Sequence, residues 1–490
     1  MTKLITTIKG SVCCGFAAVI LTGFTACTSD DAIIERTDTE NTIVLDVKDV
    51  ASPVSRAAQV PGVQTFETLK AADKGFGVYG YKGEYNNASS TPTLFADDAT
   101  NTHVTFVSGG TNPTSVLVHP GSWTYAATAA DLREWEKNGA NEEKYTFFAY
   151  APYMSSNGTA PGITTVKTTT AAGDPTIGYQ VATDPTQSVD LLWGVCSDNG
   201  LPWKDIQRGQ TAGAVMFTFY HALCAIGYHA QVIVDKDNNL SNSEDKSNIG
   251  VIGTDCKVTI KSITLEPNSD LKTSEPSPVY YQPGLFYQTG TLNLNNATAY
   301  IPNWGSLSGS IASLVLSGSQ IDSELKDPQT GDTPLTSGEI ATFMSDDSNP
   351  GITEAANSQT VIAKNDIKEQ FYMLLPYVAK DYKLTIKYFI TYKTGADTYF
   401  RSDELTGNAI LNDMELKPGI KYYLNMVFGL TTFKLNVLAY DWEGQTINTS
   451  VVVENGTSAS HSLAKEGPSP APSLTPNPSP KGEGDLKDEL

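Results

Sequence analysis

The sequence predicts an all-β protein built as two seven-stranded β-sandwiches in tandem, and three observations carry that expectation. Short apolar or alternating runs recur along the chain, each closed by Gly, Pro, Asn or Asp, which is the punctuation of strands and turns. The composition agrees, because 40 Gly and 23 Tyr with abundant Thr and Val suit pleated, turn-rich structure. Helical periodicity is nearly missing: only residues 129–137 and 365–370 read as helical, one or two turns each.

The first element is an address. Lys3 and Lys9 form a basic segment, and residues 11–24 form an apolar stretch too short to be a stable membrane span. It ends at Thr25-Ala26-Cys27, small residues before a cysteine, similar to a bacterial lipobox in which Cys27 is acylated after cleavage. Several acyl chains would hold the protein firmly on a membrane, whereas one chain binds only marginally. An ordinary secretory signal with an incidental Cys27 is the other reading. Residues 1–26 are thus the expected signal peptide, and 27–56 a leader that contains the first strand.

That strand is 42–50, TIVLDVKDV, where Leu45 and Val47 alternate with Asp46 and Lys48. Arg56 follows in a loop bounded by Pro53 and the Pro61-Gly62 turn. Strand-like runs then come at 77–81, 104–107, 115–118, 145–150, 164–167 and 189–193. A loop over 194–213 separates them from a second set, which opens with the apolar run 214–234. It continues at 257–265, 290–294, 371–375, 383–392, 421–428, 433–437 and 449–453. Each set has strands enough for one sandwich, which gives domains at 57–210 and 211–454. From residue 455 the chain turns to Ser, Pro, Gly and Lys, a composition that cannot bury enough apolar surface to offset ordering entropy. Residues 455–490 are therefore expected to be a disordered tail, and its closing KDEL is read as coincidental beside a bacterial lipobox.

Charge and motif counts narrow the function. Fifty-four acidic residues against 33 basic, a net charge of -21, argue against a nucleic-acid partner. No apolar run after residue 30 approaches the roughly 18 residues that a membrane span needs. The glycines of GFGVYG, 75–80, sit inside a strand pattern with no helix after them, so they are structural and do not cradle a dinucleotide. The acidic loop 235–246 has Leu240 and Lys246 where a calcium loop needs Gly and Glu, and it reads as an exposed hairpin loop. His221 and His229 would stand about 26 Å apart on one continuous strand, too far for one metal. Cys196, Cys224 and Cys256 lack metal-ligand spacing and read as core residues. No catalytic motif assembles, so no enzyme activity, cofactor or metal is expected.

Several ordered pieces together resemble the fimbrillin family, the type V pilus subunits and related surface lipoproteins of Bacteroides-type bacteria. They are Cys27, the strand and Arg56 after it, Gly77-Val78-Tyr79-Gly80, and the aromatic-Ala-Tyr-Ala-Pro stretch at 147–152. Val189-Asp190-Leu191-Leu192-Trp193, the run 217–223, Pro418-Gly419 with Tyr422, and Tyr440-Asp441-Trp442 complete the set. The resemblance implies two transthyretin-like sandwiches on a cell-surface lipoprotein of the outer membrane, assembled into a fimbrium. It implies that a protease cuts after Arg56, that the strand bearing Ile43, Leu45, Val47 and Val50 leaves, and that a C-terminal strand of the next subunit fills the groove. Ile447, Val451 and Val453, within 445–454, would be that donor strand. The expected partners are other fimbrillin subunits, the outer membrane through the lipid, and host or bacterial surface ligands. The alternative is a surface lipoprotein that does not polymerise and binds glycan or a host ligand.

Overall fold

The computed structural model describes residues 41–50, 63–71, 74–95, 101–108, 121–126, 131–155, 158–197, 199–211, 213–232, 256–273, 276–317, 351–352, 360–361, 371–395, 398–401, 404–428, 433–441, 446–447 and 451–455. The segments predicted at 129–130, 235–246 and 365–370, and the tail, lie outside them.

In chain order the first strands are β1 (Leu45–Val50), β2 (Phe76–Lys82), β3 (Thr102–Val107), β4 (Ser122–Thr124), β5 (Lys137–Asn138) and β6 (Asn141–Glu142). Next come β7 (Tyr145–Ala151), β8 (Ile163–Val166), β9 (Thr176–Gln180), β10 (Leu192–Val195) and β11 (Val215–His221). The chain continues with β12 (Cys224–Val232), β13 (Cys256–Pro267), β14 (Leu271–Thr273), β15 (Val279–Tyr280), β16 (Thr289–Thr298) and β17 (Ile301–Ser308). It closes with β18 (Leu314–Ser317), β19 (Gly351–Ile352), β20 (Thr360–Val361), β21 (Tyr372–Leu374), β22 (Tyr377–Gly395), β23 (Thr398–Arg401), β24 (Leu405–Leu416), β25 (Ile420–Phe428), β26 (Phe433–Asp441), β27 (Thr446–Ile447) and β28 (Val452–Asn455). The protein is all-β, as the turn-punctuated sequence predicts.

The first sheet runs β1-β11-β10-β7-β2-β3-β4. Its central strand β7, YTFFAYA, is buried along its whole length, which is why its sequence shows no polar alternation. Tyr145, Phe147 and Ala149 join one core with Phe76, Val78, Phe217 and Phe219. Phe148 and Tyr150 join another with Tyr79, Tyr81 and Trp193. The glycines of β2 make room for rings: a Cβ on Gly77 would stand 2.2 Å from the Tyr150 ring, and one on Gly80 2.5 Å from Phe95. That is the structural role read from the sequence.

The one α-helix among the described residues, α1 (Phe66–Lys70), closes the first core beside β3. Thr65 and Thr68 exchange capping hydrogen bonds at its start, and Leu69 is buried. Residues 131–137, predicted as part of a helix, form no α-helix. Trp135 packs into the first core and Glu134 bridges to Thr42, so burial of one ring overrides local helical preference.

Two larger sheets face each other in the second part of the chain. One runs β20-β12-β25-β26-β27 with β21 on β12; the other runs β18-β13-β22-β24-β28 with β19 and β23 on its flanks. Between them lie Ile263, Leu265, Leu384, Ile386, Leu411, Leu424 and Met426, and Tyr388 meets Phe428 edge to face at 5.0 Å.

The run 214–234, predicted to open the second set, is two strands in two sheets. Val215, Phe217 and Phe219 of β11 turn into the first core, and Cys224, Ile226 and Tyr228 of β12 turn into the second. Ala222 and Leu223 break the run, so His221 and His229 do not share a strand. The two halves also share a sheet, β17-β16-β9-β8, in which β9 pairs along β16. Asp174 fastens this joint: its carboxylate accepts hydrogen bonds from Tyr85 Oη at 2.6 Å, Asn293 Nδ2 at 2.9 Å and Asn295 Nδ2 at 3.0 Å. Asp174→Ala should cost about 1.5–3 kcal/mol and strand three donors. A urea midpoint equal to that of the parent chain would show that the joint carries no stability.

Candidate functional site

The leading strand forms the site. β1 lies parallel to β11, with Leu45 opposite Val215, Val47 opposite Phe217 and Val50 opposite Phe219. A bulge between Val47 and Asp49 lets Lys48 stand out of register, a common device on edge strands. The bulge also restores the inward phase, so that Ile43, Leu45, Val47 and Val50 are all buried, at 1%, 1%, 5% and 1% exposure. Four such side chains at roughly 1.5–3 kcal/mol each make docking of this strand worth on the order of 10 kcal/mol, an upper estimate.

Backbone bonds fix its entry. Ile43 N–H donates to Arg133 O at 2.8 Å, Trp135 N–H to Asn41 O at 2.6 Å and Val215 N–H to Val44 O at 2.8 Å. Tyr125 Oη donates to Ile43 O at 2.9 Å. β1 and β4 are the two ends of the first sheet, yet they approach each other. The sheet therefore curls around its core, and β1 closes the seam. Withdrawing it would open a slot lined by Val215, Phe217 and Phe219.

A buried Asp–His pair stands at the far end of β11. His221 Nδ1 lies 2.6 Å from Asp190 Oδ2, with side-chain exposures of 1% and 0%. The same carboxylate oxygen accepts from Gln64 N–H at 3.2 Å, so it ties the segment just before α1 to the end of the sheet. The sequence weighs His221 only as a metal ligand and gives Asp190 only within the run Val189-Asp190-Leu191-Leu192-Trp193; an acid flanked by apolar neighbours is the signal that could have paired them.

The expected donor segment is folded onto its own chain. Ile447 pairs with Ala439 on β26, at the edge of one sheet. β28 pairs antiparallel with β24 at the edge of the other, with Val453 opposite Leu411 and Val452 opposite Asn412. Val451 and Val453 pack half-buried against the second core. The structure thus gathers Ile43, Leu45, Val47 and Val50 into one edge and places Ile447, Val451 and Val453 elsewhere. Cys27 and Arg56 lie outside the described residues.

The rest of the site inventory is spare. No group of three or more His, Cys, Asp or Glu suited to a metal occurs among the described residues. Cys196 and Cys224 are buried free thiols, and burial pushes the Cys196 thiol up to about 12, which keeps it a protonated core group. No described helix is long and apolar enough to cross a membrane.

No protein-family model matches the chain. It is 29% identical over 252 residues to the fimbrium subunit Fim1C of Phocaeicola vulgatus, a match covering 50% of this chain and 53% of that protein. The chain thus spans about half the length of that relative. The crystal structure of a fimbrial protein from Bacteroides vulgatus superposes with a TM-score of 0.50 at 20% identity, covering 82% of this chain and 99% of that one. The chain therefore shares the all-β fold of a Bacteroides fimbrial protein, and the resemblance to fimbrial subunits read from its sequence holds.

Proposed function

We propose that the protein is a structural or accessory subunit of a cell-surface fimbria, exported as a lipoprotein on Cys27, cut after Arg56 and joined to its neighbours by strand exchange. The observation that supports this most is β1 itself, an edge strand that buries four apolar side chains and ends shortly before Arg56 in the sequence. A removable segment of this kind leaves a slot that only another alternating apolar strand can fill, with backbone bonds giving affinity and side chains giving fit. The similarity to a fimbrium subunit supports the same reading.

In this reading the chain comprises two transthyretin-like sandwiches, the first ending at His221 rather than near residue 210, because β11 belongs to the first sheet. The donor 445–454 starts from a self-docked state. To reach a neighbour, β27 must leave β26 and β28 must leave β24, giving up ladder bonds worth about 0.5–1.5 kcal/mol each. Insertion into the open slot returns bonds of the same kind and adds apolar burial, so removal of β1 is what tips the balance.

Two measurements test the proposal. Limited trypsin treatment should cut first after Arg56 and leave a folded core that polymerises; resistance at Arg56, or collapse of the fold, would count against processing. Val451→Asp with Val453→Asp should abolish polymers of the cleaved protein while the monomer stays folded, since both positions are only half-buried there. Polymers that persist would place the donor elsewhere in the chain.

A further inference from the structure

The leading strand and the groove it fills do not match residue for residue. β1 lays six residues along five of β11, residues 215–219. The extra one is Lys48, between Val47 opposite Phe217 and Asp49 opposite Thr218. The buried side chains Ile43, Leu45, Val47 and Val50 therefore follow steps of two, two and three along the chain. β11 keeps a plain step of two, with Val215, Phe217 and Phe219 in the first core and Met216 and Thr218 facing away.

An insertion of this kind interrupts a ladder, because two residues of one strand face one of the other. The groove does not ask for it. Leu45 is opposite Val215 before the step and Val50 is opposite Phe219 after it. A strand without Lys48 would thus bury the same four side chains on an unbroken ladder, and β1 is the imperfect occupant. The segment proposed as donor is regular where β1 is not: Ile447, Thr449, Val451 and Val453 stand two apart throughout. Aligned in the direction of β1, it puts Thr449 where Leu45 stands. Its advantage therefore lies in the backbone and not in the side chains.

We propose that Lys48 is a specificity-determining insertion, which weakens the grip of the groove on its own strand and leaves it selective for plain alternation. The occupant that fits is the 445–454 segment of a second copy, with inward residues at i, i+2, i+4 and i+6. As a device for exchange this rests on the reading that β1 leaves the sheet. The preference of the groove can be measured with no exchange at all.

The test deletes Lys48 in the full, uncut chain, beside Lys48→Ala, which keeps the insertion and removes only the side chain. Lys48 is exposed and the register on either side of it is kept, so both variants should fold, which circular dichroism checks. Val215 N–H, which donates to Val44 O at 2.8 Å, reports opening of the strand by hydrogen exchange. Deletion should slow its exchange about tenfold, the effect of about one ladder bond, and Lys48→Ala should leave the parent rate. A second measurement serves if the deletion variant does not fold. Peptides 41–52 with and without Lys48 are titrated by fluorescence anisotropy into the full chain carrying Leu45→Asp and Val47→Asp, which should hold β1 out of the groove. The peptide lacking Lys48 should bind about tenfold tighter, and peptide 445–455 should compete with it. Equal exchange rates or equal affinities with and without Lys48 would overturn the proposal, and so would a slowing shared by Lys48→Ala. Slower exchange in a chain whose cleaved form never polymerises would uphold the preference of the groove and sink strand exchange instead.

Discussion

The double substitution Leu45→Asp, Val47→Asp should expel β1 from the first sheet. Each site is almost wholly enclosed, and an unpaired carboxylate there costs more than the aliphatic group returned. Released strand is therefore cheaper than buried charge, and the loss is capped by what docking contributes, on the order of 10 kcal/mol. Melting should fall by roughly 10–20 °C, and amides of β11 opposite the vacated edge should lose hydrogen-exchange protection. If strand exchange operates, this variant should assemble without cleavage, because its slot is already open. A melting point within a few degrees of the parent, with β11 amides still protected, would mean that β1 closes nothing.

His221→Ala should also destabilise the chain, by less. It removes the imidazole 2.6 Å from Asp190 Oδ2 and leaves that buried side chain with Gln64 N–H. Removing one side of a buried hydrogen-bonded pair costs about 1–3 kcal/mol, because the partner left behind stays desolvated. Replacing both, Asp190→Val with His221→Leu, should recover much of that loss, since matched apolar groups need no partner. Urea midpoints of these two variants and of the parent chain give the answer. If His221→Ala proves neutral, the pair is not what anchors Gln64 to the end of β11.

Much of this was legible in the sequence. The β class followed from turn punctuation, and β1 from the alternation of Leu45 and Val47 with Asp46 and Lys48. What the pattern could not give was assignment to sheets. Val215 to Val232 reads as one apolar run because both strands are mostly buried, and only Ala222-Leu223 marks the passage from one core to the other. Pairing of β9 with β16 was invisible for a different reason: their partners stand more than a hundred residues apart in sequence, and ladder partners carry no local signature. The single turn of α1 depends on Thr65 capping Thr68 rather than on periodicity. The Lys48 bulge also hid from simple alternation, since it shifts Val50 into the inward phase that Asp49 would have held.

The shared sheet has a mechanical consequence. In the proposed strand-exchanged filament, with subunits gripped at the β1 edge of one half and through the C-terminal segment of the other, tension would pass from half to half. Part of its path is the antiparallel ladder between β9 and β16, backed by the Asp174 clasp. A ladder pulled along its strands resists as a set, whereas one pulled across them yields bond by bond. The direction of load through β9 and β16 would then decide whether a stretched filament parts within its subunits or at the junctions between them.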